Sequence, residues 1–306
     1  MKNPINQIVI EGPDLSGKTT LYQNIHDKTD YRWNIQDRSA LSMLVHAKYY
    51  GRSEFQHVES LKKELSNLNN FIILLLPSWE IIADRFTKRG DKIQNLASLR
   101  KIYLLFDEAA SEFEHYPNVY VLRKEINENI LKLLVANLIK FENMCYPNIA
   151  SMFFNHCLAT KKDESIGVSL TSYVLNDDNY KDIDFDYLVY EKEIDYYRLI
   201  KKTLLKKIDN ELIGANEYER IEDFKSRRFI YASNTCISLA HFMCRNNMLD
   251  CKFFIRSSNT KDTLKYDLNF IKYLSKCVKE KLEEYCKINF VKLDLIINSA
   301  HIPSSI

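Results

Sequence analysis

The run Gly12-Pro13-Asp14-Leu15-Ser16-Gly17-Lys18-Thr19 sets two glycines five positions apart and follows the second with a lysine and a hydroxyl residue. A loop of that pattern turns its backbone N–H groups inward around a chain of phosphates, and a helix N-terminus behind it adds positive potential. Lys18 is then placed to reach the β and γ phosphates of ATP, and the Thr19 hydroxyl to help hold Mg²⁺. Gly12, Ser16, Gly17 and Thr20 complete the cradle. The chain has only 6 glycines in 306 residues, so a pair framing one short loop stands out. The apolar run Gln7 to Ile10 before it predicts a buried strand, and Thr19 to His26 after it a helix, which is the context the motif requires.

Two further groups bear charge in suggestive places. Asp37-Arg38-Ser39-x-x-Ser42 pairs an acid that could bind Mg²⁺ through water with a guanidinium that could grip a phosphate with two parallel hydrogen bonds. Arg85-x-x-x-Arg89-Gly90-Asp91 places two arginines one helical turn apart, and a loose phosphoryl transition state needs such positive charge around it. The loop itself contains no arginine, so Arg85 and Arg89 would have to supply that charge. With Glu11-Gly12-Pro13-Asp14 and Gly17-Lys18-Thr19-Thr20, these motifs resemble, in order, the phosphate loop, the Asp-Arg motif and the lid of thymidylate kinases and related deoxynucleotide kinases. The resemblance covers roughly residues 5 to 142. It implies a parallel α/β sheet with flanking helices, ATP and Mg²⁺ as cofactors, Asp14 against the acceptor's sugar, and Lys18, Asp14, Asp37, Arg38, Arg85 and Arg89 as the catalytic set. The chain departs from that family in one interval. Only 18 residues separate Lys18 from Asp37, where the family places a strand and acceptor-binding helices.

In the second half, Arg227-Arg228, Cys236 and Arg256-Ser257-Ser258-Asn259 resemble the core of thymidylate synthases and pyrimidine hydroxymethylases, and Cys236 to Arg256 keeps the family's interval of 20 residues. Asn298-Ser299-Ala300-His301 resembles the segment whose histidine contacts the ribose. The resemblance implies a nucleotide site made by Arg227, Arg228, Cys236, Arg256, Ser257, Asn259 and His301. In it Cys236 would add to C6 of a pyrimidine, its thiolate favoured by a nearby arginine. It also implies a homodimer through this domain. Asn259 stands where the family has aspartate, and Pro303 where it has tyrosine. Ungapped, Asp267 falls at the base-reading position, which suits cytosine. A slide of two residues brings Asn269 there, which suits uracil.

The elements that must position these groups can be read from hydrophobic periodicity. Tyr31 to Gln36 reads as a strand, and Leu61 to Asn69 as a helix. Phe71 to Leu76 is a continuous apolar run, as in a parallel strand covered on both faces. Trp79 to Lys88 and Leu96 to Glu114 read as helices, Val119 to Leu122 as a strand, and Asn127 to Phe141 as a closing helix. Alternating strands and helices predict a parallel sheet. Residues 1–143 are therefore expected to form the kinase-like domain and 148–306 a second, α+β domain resembling a reduced thymidylate synthase, with Met144 to Asn148 as linker. There, 175 to 225 reads as helical in part, and Phe229 to Ala232 and Lys252 to Ile255 as strands around a cysteine-bearing helix.

Hydrophobic residues make up 46% of the chain and charged residues 27%, with a net charge of +2, so no surplus of positive charge demands a nucleic-acid partner. The seven cysteines include no C-x-x-C pair and no apolar leader is evident, which points to free thiols in a reducing cytoplasm. No apolar run is long enough to span a membrane. His46, His57, His115, His156 and His241 show no metal-ligand spacing. The expected activity is phosphoryl transfer from ATP to a pyrimidine deoxynucleotide, with the second domain holding a nucleotide. Three alternatives stay open: a kinase of 5-hydroxymethylpyrimidine within DNA, a bifunctional enzyme that also works at Cys236, and a binding protein that uses ATP as a switch.

Overall fold

The computed structural model describes residues 3–90, 94–144, 146–159, 166–175, 191–215 and 229–301. The chain divides into one unit of Ile5–Glu142 and a second of Asn143–Ile306 joined by Met1–Pro4. Asn3 shows why the N-terminus belongs with the second unit: it donates to the Met144 carbonyl at 3.1 Å and accepts from Ser172 Oγ at 2.7 Å.

In the first unit, strand β1 (Gln7–Glu11) leads through the glycine loop into helix α1 (Lys18–Thr29). Strand β2 (Ile35–Asp37), helices α2 (Ala40–Tyr49) and α3 (Phe55–Ser66), strand β3 (Asn70–Leu75), helices α4 (Trp79–Arg89) and α5 (Leu96–Phe113), strand β4 (Val119–Leu122) and helix α6 (Glu128–Glu142) follow. The four strands form one parallel sheet in the order β2-β1-β3-β4. The chain lays β2 on one side of β1 and β3 on the other, so the order reverses at β1. In parallel sheets the ligand crevice opens at the carboxyl ends of strands at such a point. The glycine loop, Asp37-Arg38 and Leu75 all lie there.

β3 is buried almost throughout because helices cover both its faces. The core between the sheet and α2, α3 and α5 is Leu41, Leu44, Leu61, Leu65, Ile72, Leu74, Ile102 and Phe106. Helix α2 is absent from the pattern reading. Its run Ala40-Leu41-Ser42-Met43-Leu44-Val45 is too evenly apolar to show a 3.6-residue period. The expected strand at Tyr31 shrinks to Ile35–Asp37, because Asp30 and Tyr31 hold left-handed turns (φ 50° and 54°) that end α1. The helix expected from Leu61 lies at Phe55–Ser66 instead.

The second unit begins with helix α7 (Tyr146–Ala159), which takes up most of the stretch expected as linker; Cys145 lies outside the described residues. Strand β5 (Ile166–Leu175), helix α8 (Glu191–Ala215), strands β6 (Phe229–Ala232), β7 (Ile237–Arg245), β8 (Met248–Ile255) and β9 (Ser258–Asn259), helix α9 (Leu264–Glu283) and strand β10 (Phe290–His301) follow. The mixed sheet runs β5-β10-β8-β7-β6, with β9 paired to the end of β10. The expected cysteine-bearing helix is a strand. Ile237, Ala240, Phe242 and Cys244 are buried among more exposed neighbours along β7, and Asn246-Asn247 turns it into β8 with φ of 51° and 58°. Two left-handed residues in a two-residue loop make a hairpin whose twist matches its strands, and asparagine tolerates that backbone better than most residues. Helices α7 and α8 each pack on α9, and all three pack on the sheet. Among the described residues no helix is long and apolar enough to cross a membrane.

Candidate functional site

Gly12 is fixed by space. A Cβ there would stand 2.3 Å from the Leu75 carbonyl oxygen of β3, a backbone atom that cannot yield, and its φ of 139° excludes most side chains. Gly17, at φ 104°, ends the loop and starts α1. Lys18 is 7% exposed and donates to the carbonyls of Gly12 and Pro13, each at 2.8 Å, so its ammonium closes the loop on itself. Burial lowers its pKa, and Arg38 lowers it further, while Asp14, Asp37 and Glu11 oppose the shift. Thr19 and Thr20 stand exposed on the first turn of α1. The Ser16 hydroxyl is buried with no hydrogen-bond partner among the described residues. An orphaned buried donor inside a phosphate-type loop suits the oxygens of a nucleotide triphosphate.

Asp14 is fully engaged. Arg38 donates to its Oδ1, Gln94 donates to its Oδ2 at 2.9 Å, and Lys18 Nζ stands 4.0 Å from Oδ1. Arg38 holds a left-handed backbone (φ 68°), a strained state for a residue with a Cβ. What holds it is Glu11, wholly buried at the end of β1. Glu11 accepts from Ser39 N at 2.6 Å, Ser39 Oγ at 2.9 Å, Ser42 N at 3.2 Å and Ser42 Oγ. The Ser39 hydroxyl also stands 2.7 Å from Glu64 Oε2 on α3. A hydroxyl carries one proton, so it can donate to only one of the two acids. Burial raises the Glu64 pKa and the Glu11 charge adds to this, against hydrogen bonds from Ser39 and the Ala40 backbone. Glu64 is therefore harder to ionise than a free carboxylate. Glu11→Gln is expected to lower stability by about 2 kcal/mol through its lost charged acceptor, and Glu64→Gln by less than about 0.5 kcal/mol; urea unfolding followed by tryptophan fluorescence measures both.

Asp37 is exposed at the end of β2, with its charge felt at Lys18. Arg85 leaves α4 toward the glycine loop. Its Nη1 donates to the Leu15 carbonyl at 2.8 Å and its Nη2 to Glu125 at 2.6 Å. The same Nη1 stands 3.6 Å from where a Gly17 Cβ would be, which puts the guanidinium over the loop. Arg89, one turn on, is exposed, and Asp91 lies outside the described residues. His46 on α2 lies within electrostatic reach of Arg38, Asp14 and Lys18; burial first, and then the Arg38 charge, lower its pKa. No cluster of three or more His, Cys, Asp or Glu side chains able to hold a metal occurs among the described residues. Thr19 and Asp37 are the residues whose side-chain oxygens would hold a Mg²⁺ bound with a nucleotide, since Mg²⁺ is held chiefly by substrate phosphates and waters with one or two protein oxygens.

The sequence pointed to the loop, Asp37-Arg38 and Arg85. It did not point to Glu64, Gln94 or Glu125, which come from distant segments with no local signal. A charged residue closing the apolar run of β1 was the one sign of Glu11's role.

In the second unit, Cys236 is exposed just before β7, and its carbonyl accepts from Arg256 N at 2.8 Å, so the two residues meet at one end of the hairpin. His301 pairs with Asn259 across β9–β10, and its Nδ1 is 3.4 Å from Ser257 Oγ. Cys236, Arg256, Ser257, Asn259 and His301 thus gather at one end of the sheet. Arg227, Arg228 and Pro303 lie outside the described residues. The Asn259 side chain is engaged in its own turn, accepting from Lys261 N and Asp262 N and donating to Asp262. Asp267 faces inward and accepts from Tyr197 OH at 2.9 Å and Ser258 Oγ at 3.1 Å, whereas Asn269 is exposed.

No family model matches the chain, and no curated protein does. Similar solved structures include the YorR protein of Bacillus subtilis in complex with phosphorylated GDP, at 17% identity and a TM-score of 0.38 over 45% of this chain and 99% of that one. Another is the deoxyadenosine kinase of M. mycoides with dCMP and a flexible dCDP bound, at 14% identity and 0.33 over 44% and 99%. The thymidylate synthase of phage T4 matches at 21% identity and 0.21 over 27% of this chain, which spans about a third (32%) of that enzyme. What the chain can do rests on its own side chains.

Proposed function

We propose that the chain transfers the γ-phosphoryl group of ATP to a pyrimidine deoxynucleotide. The observation that carries this reading is the ring of groups around the glycine loop: buried Lys18 and Ser16 within it, Arg85 over it, and the Asp14–Arg38 pair beside it. In this reading the loop N–H groups, Ser16 and Lys18 hold the triphosphate. Lys18 exchanges its bonds to the Gly12 and Pro13 carbonyls for phosphate oxygens. Arg38 orients the acceptor's phosphate, and Asp14 its sugar. An acceptor oxygen attacks the γ phosphorus as the bond to the bridging oxygen breaks, and ADP carries away the electron pair. Arg85 balances the charge that spreads over the transferred group. Mg²⁺, when bound by Thr19 and Asp37, neutralises phosphate charge. Arg85→Ala is expected to lower kcat about 100-fold with little change in the acceptor's KM, since its charge matters most in the transition state.

The second unit, in the same reading, holds a nucleotide at the end of its sheet through Cys236, Arg256, Ser257 and His301. It also pairs with a second copy through the sheet face bearing Lys292, Asp294, Asp250 and Ile296. Lys292 and Asp294 are 2.6 Å apart there and Ile296 is 48% exposed, so the face carries both signs of charge beside apolar surface. Sedimentation equilibrium tests the dimer, and Ile296→Lys should weaken it.

The deciding assay is transfer of label from γ-labelled ATP with Mg²⁺. The acceptors are the deoxynucleoside monophosphates, their 5-hydroxymethyl forms and hydroxymethylated DNA. Label on one free pyrimidine nucleotide supports the reading, and label on DNA alone replaces it with the polymer kinase. An exposed Cys236 beside Arg256 also favours a second chemistry at that thiol. Release of tritium from C5 of dUMP or dCMP by the wild type, and not by Cys236→Ala, would establish it.

A further inference from the structure

Both oxygens of Asp14 accept a hydrogen bond, and the two donors come from separate segments of the chain. Arg38, from the loop after β2, takes Oδ1. Gln94, from the segment just before α5, takes Oδ2 through its Nε2 at 2.9 Å. Asn95, the next residue, is the N-cap of α5: its side chain accepts from Ser98 N at 2.9 Å, and Ser98 Oγ accepts from Asn95 N at 3.1 Å. Gln94 thus stands next to a capped helix start, and its amide reaches Asp14 of the loop. Arg85 from α4 holds the carbonyl of Leu15, the neighbour of Asp14. Two consecutive loop residues are therefore held, Asp14 by Gln94 and Leu15 by Arg85.

We propose that Gln94 tempers the site's preference for an acceptor hydroxyl by competing with the acceptor for Asp14: a sugar hydroxyl binds by displacing the Gln94 amide from Oδ2. This rests on the reading above that Asp14 meets the acceptor's sugar. An acceptor with a hydroxyl able to donate to Asp14 replaces the lost bond atom for atom. One without it leaves the Gln94–Asp14 bond intact and gains nothing at Oδ2. Gln94 thereby converts the presence of one hydroxyl into the position of the residue leading into α5. The exchange offsets most of what the hydroxyl would gain at the carboxylate, so Gln94 narrows the preference that Asp14 alone would set.

The test is steady-state transfer from γ-labelled ATP to dTMP and to dCMP, each beside its 3′-deoxy analogue, in wild type, Gln94→Ala and Gln94→Leu. Leucine keeps the bulk of the side chain and removes the donor. In both variants the KM for the 3′-hydroxyl acceptor is expected to fall about fivefold, the size of one exchanged hydrogen bond. The KM for the 3′-deoxy analogue should stay put, so the ratio of the two KM values widens. A ratio unchanged from wild type, while wild type itself transfers label, overturns the role of Gln94 and leaves the kinase reading standing. If wild type labels none of the four nucleotides, the reading and this inference fall together. A merely structural role would move the two KM values alike.

Discussion

Lys18→Ala is expected to lower the rate of phosphoryl transfer about 1000-fold, the scale seen when one preorganised charge is removed from a transition state. Two losses combine in that figure. The ammonium that would meet the β and γ phosphates is gone, and so is the tie from position 18 to the Gly12 and Pro13 carbonyls that helps shape the loop. Lys18→Arg separates them, because it keeps the charge but must fit a larger, planar head into a site where the lysine is 7% exposed. Arginine is expected to recover less than about a tenth of the lost rate. Initial rates with saturating ATP, beside a melting curve to show that the fold persists, measure the effect. A fall of less than tenfold in Lys18→Ala would mean that the loop binds nucleotide without taking part in the chemistry.

The second large effect is on stability and concerns the other unit. His156 on α7 is 1% exposed, and burial lowers its pKa from 6.5 to about 4. The folded state therefore resists a proton that the unfolded chain accepts readily. As pH falls below 6.5 the unfolded state gains that proton and the folded state does not, so stability declines. The decline levels off near pH 4, where the folded histidine protonates too. Across that window the second unit should lose about 3 kcal/mol. The window lies wholly on the acid side of neutrality, and nothing is lost between pH 7 and 8. Both tryptophans, Trp33 and Trp79, lie in the first unit. Fluorescence therefore follows that unit alone, while far-UV circular dichroism follows both. Urea curves at pH 7, 5.5 and 4 should show the dichroism transition move farther than the fluorescence transition, and His156→Leu should remove the difference. Equal movement in wild type and variant would place the acid sensitivity elsewhere.

How much of this was legible in the sequence depended on how local each device is. The phosphate loop was readable because its whole mechanism sits in eight consecutive residues, with a strand before and a helix after. β3 was readable because six apolar residues in a row have few other destinations. Helix α2 was not, since a helix pressed against both the sheet and other helices shows no polar face to set its period. The β7–β8 hairpin was missed although Asn246-Asn247 carries its turn chemistry in plain view. An alternation of Ala, Phe and Cys with Leu, His and Met is too uniformly apolar to read as period two. The acidic and amide partners of the site are the hardest case. Glu64, Gln94 and Glu125 reach it from three different connections, and only the folded sheet makes neighbours of positions so far apart along the chain.

The attachment of Asn3 to Met144 and Ser172 has a consequence for how the molecule is made. In terms of chain path, the first unit is an insertion: residues 1–4 belong to the second unit, the first unit follows from residue 5, and the second resumes at residue 143. During synthesis the opening segment must wait for the whole inserted unit, and then for β5, before Ser172 exists to receive it. The inserted unit can fold as it emerges, but the second unit cannot close until its own late strands arrive. A recombinant fragment of residues 143–306 would lack the strap that Asn3 provides.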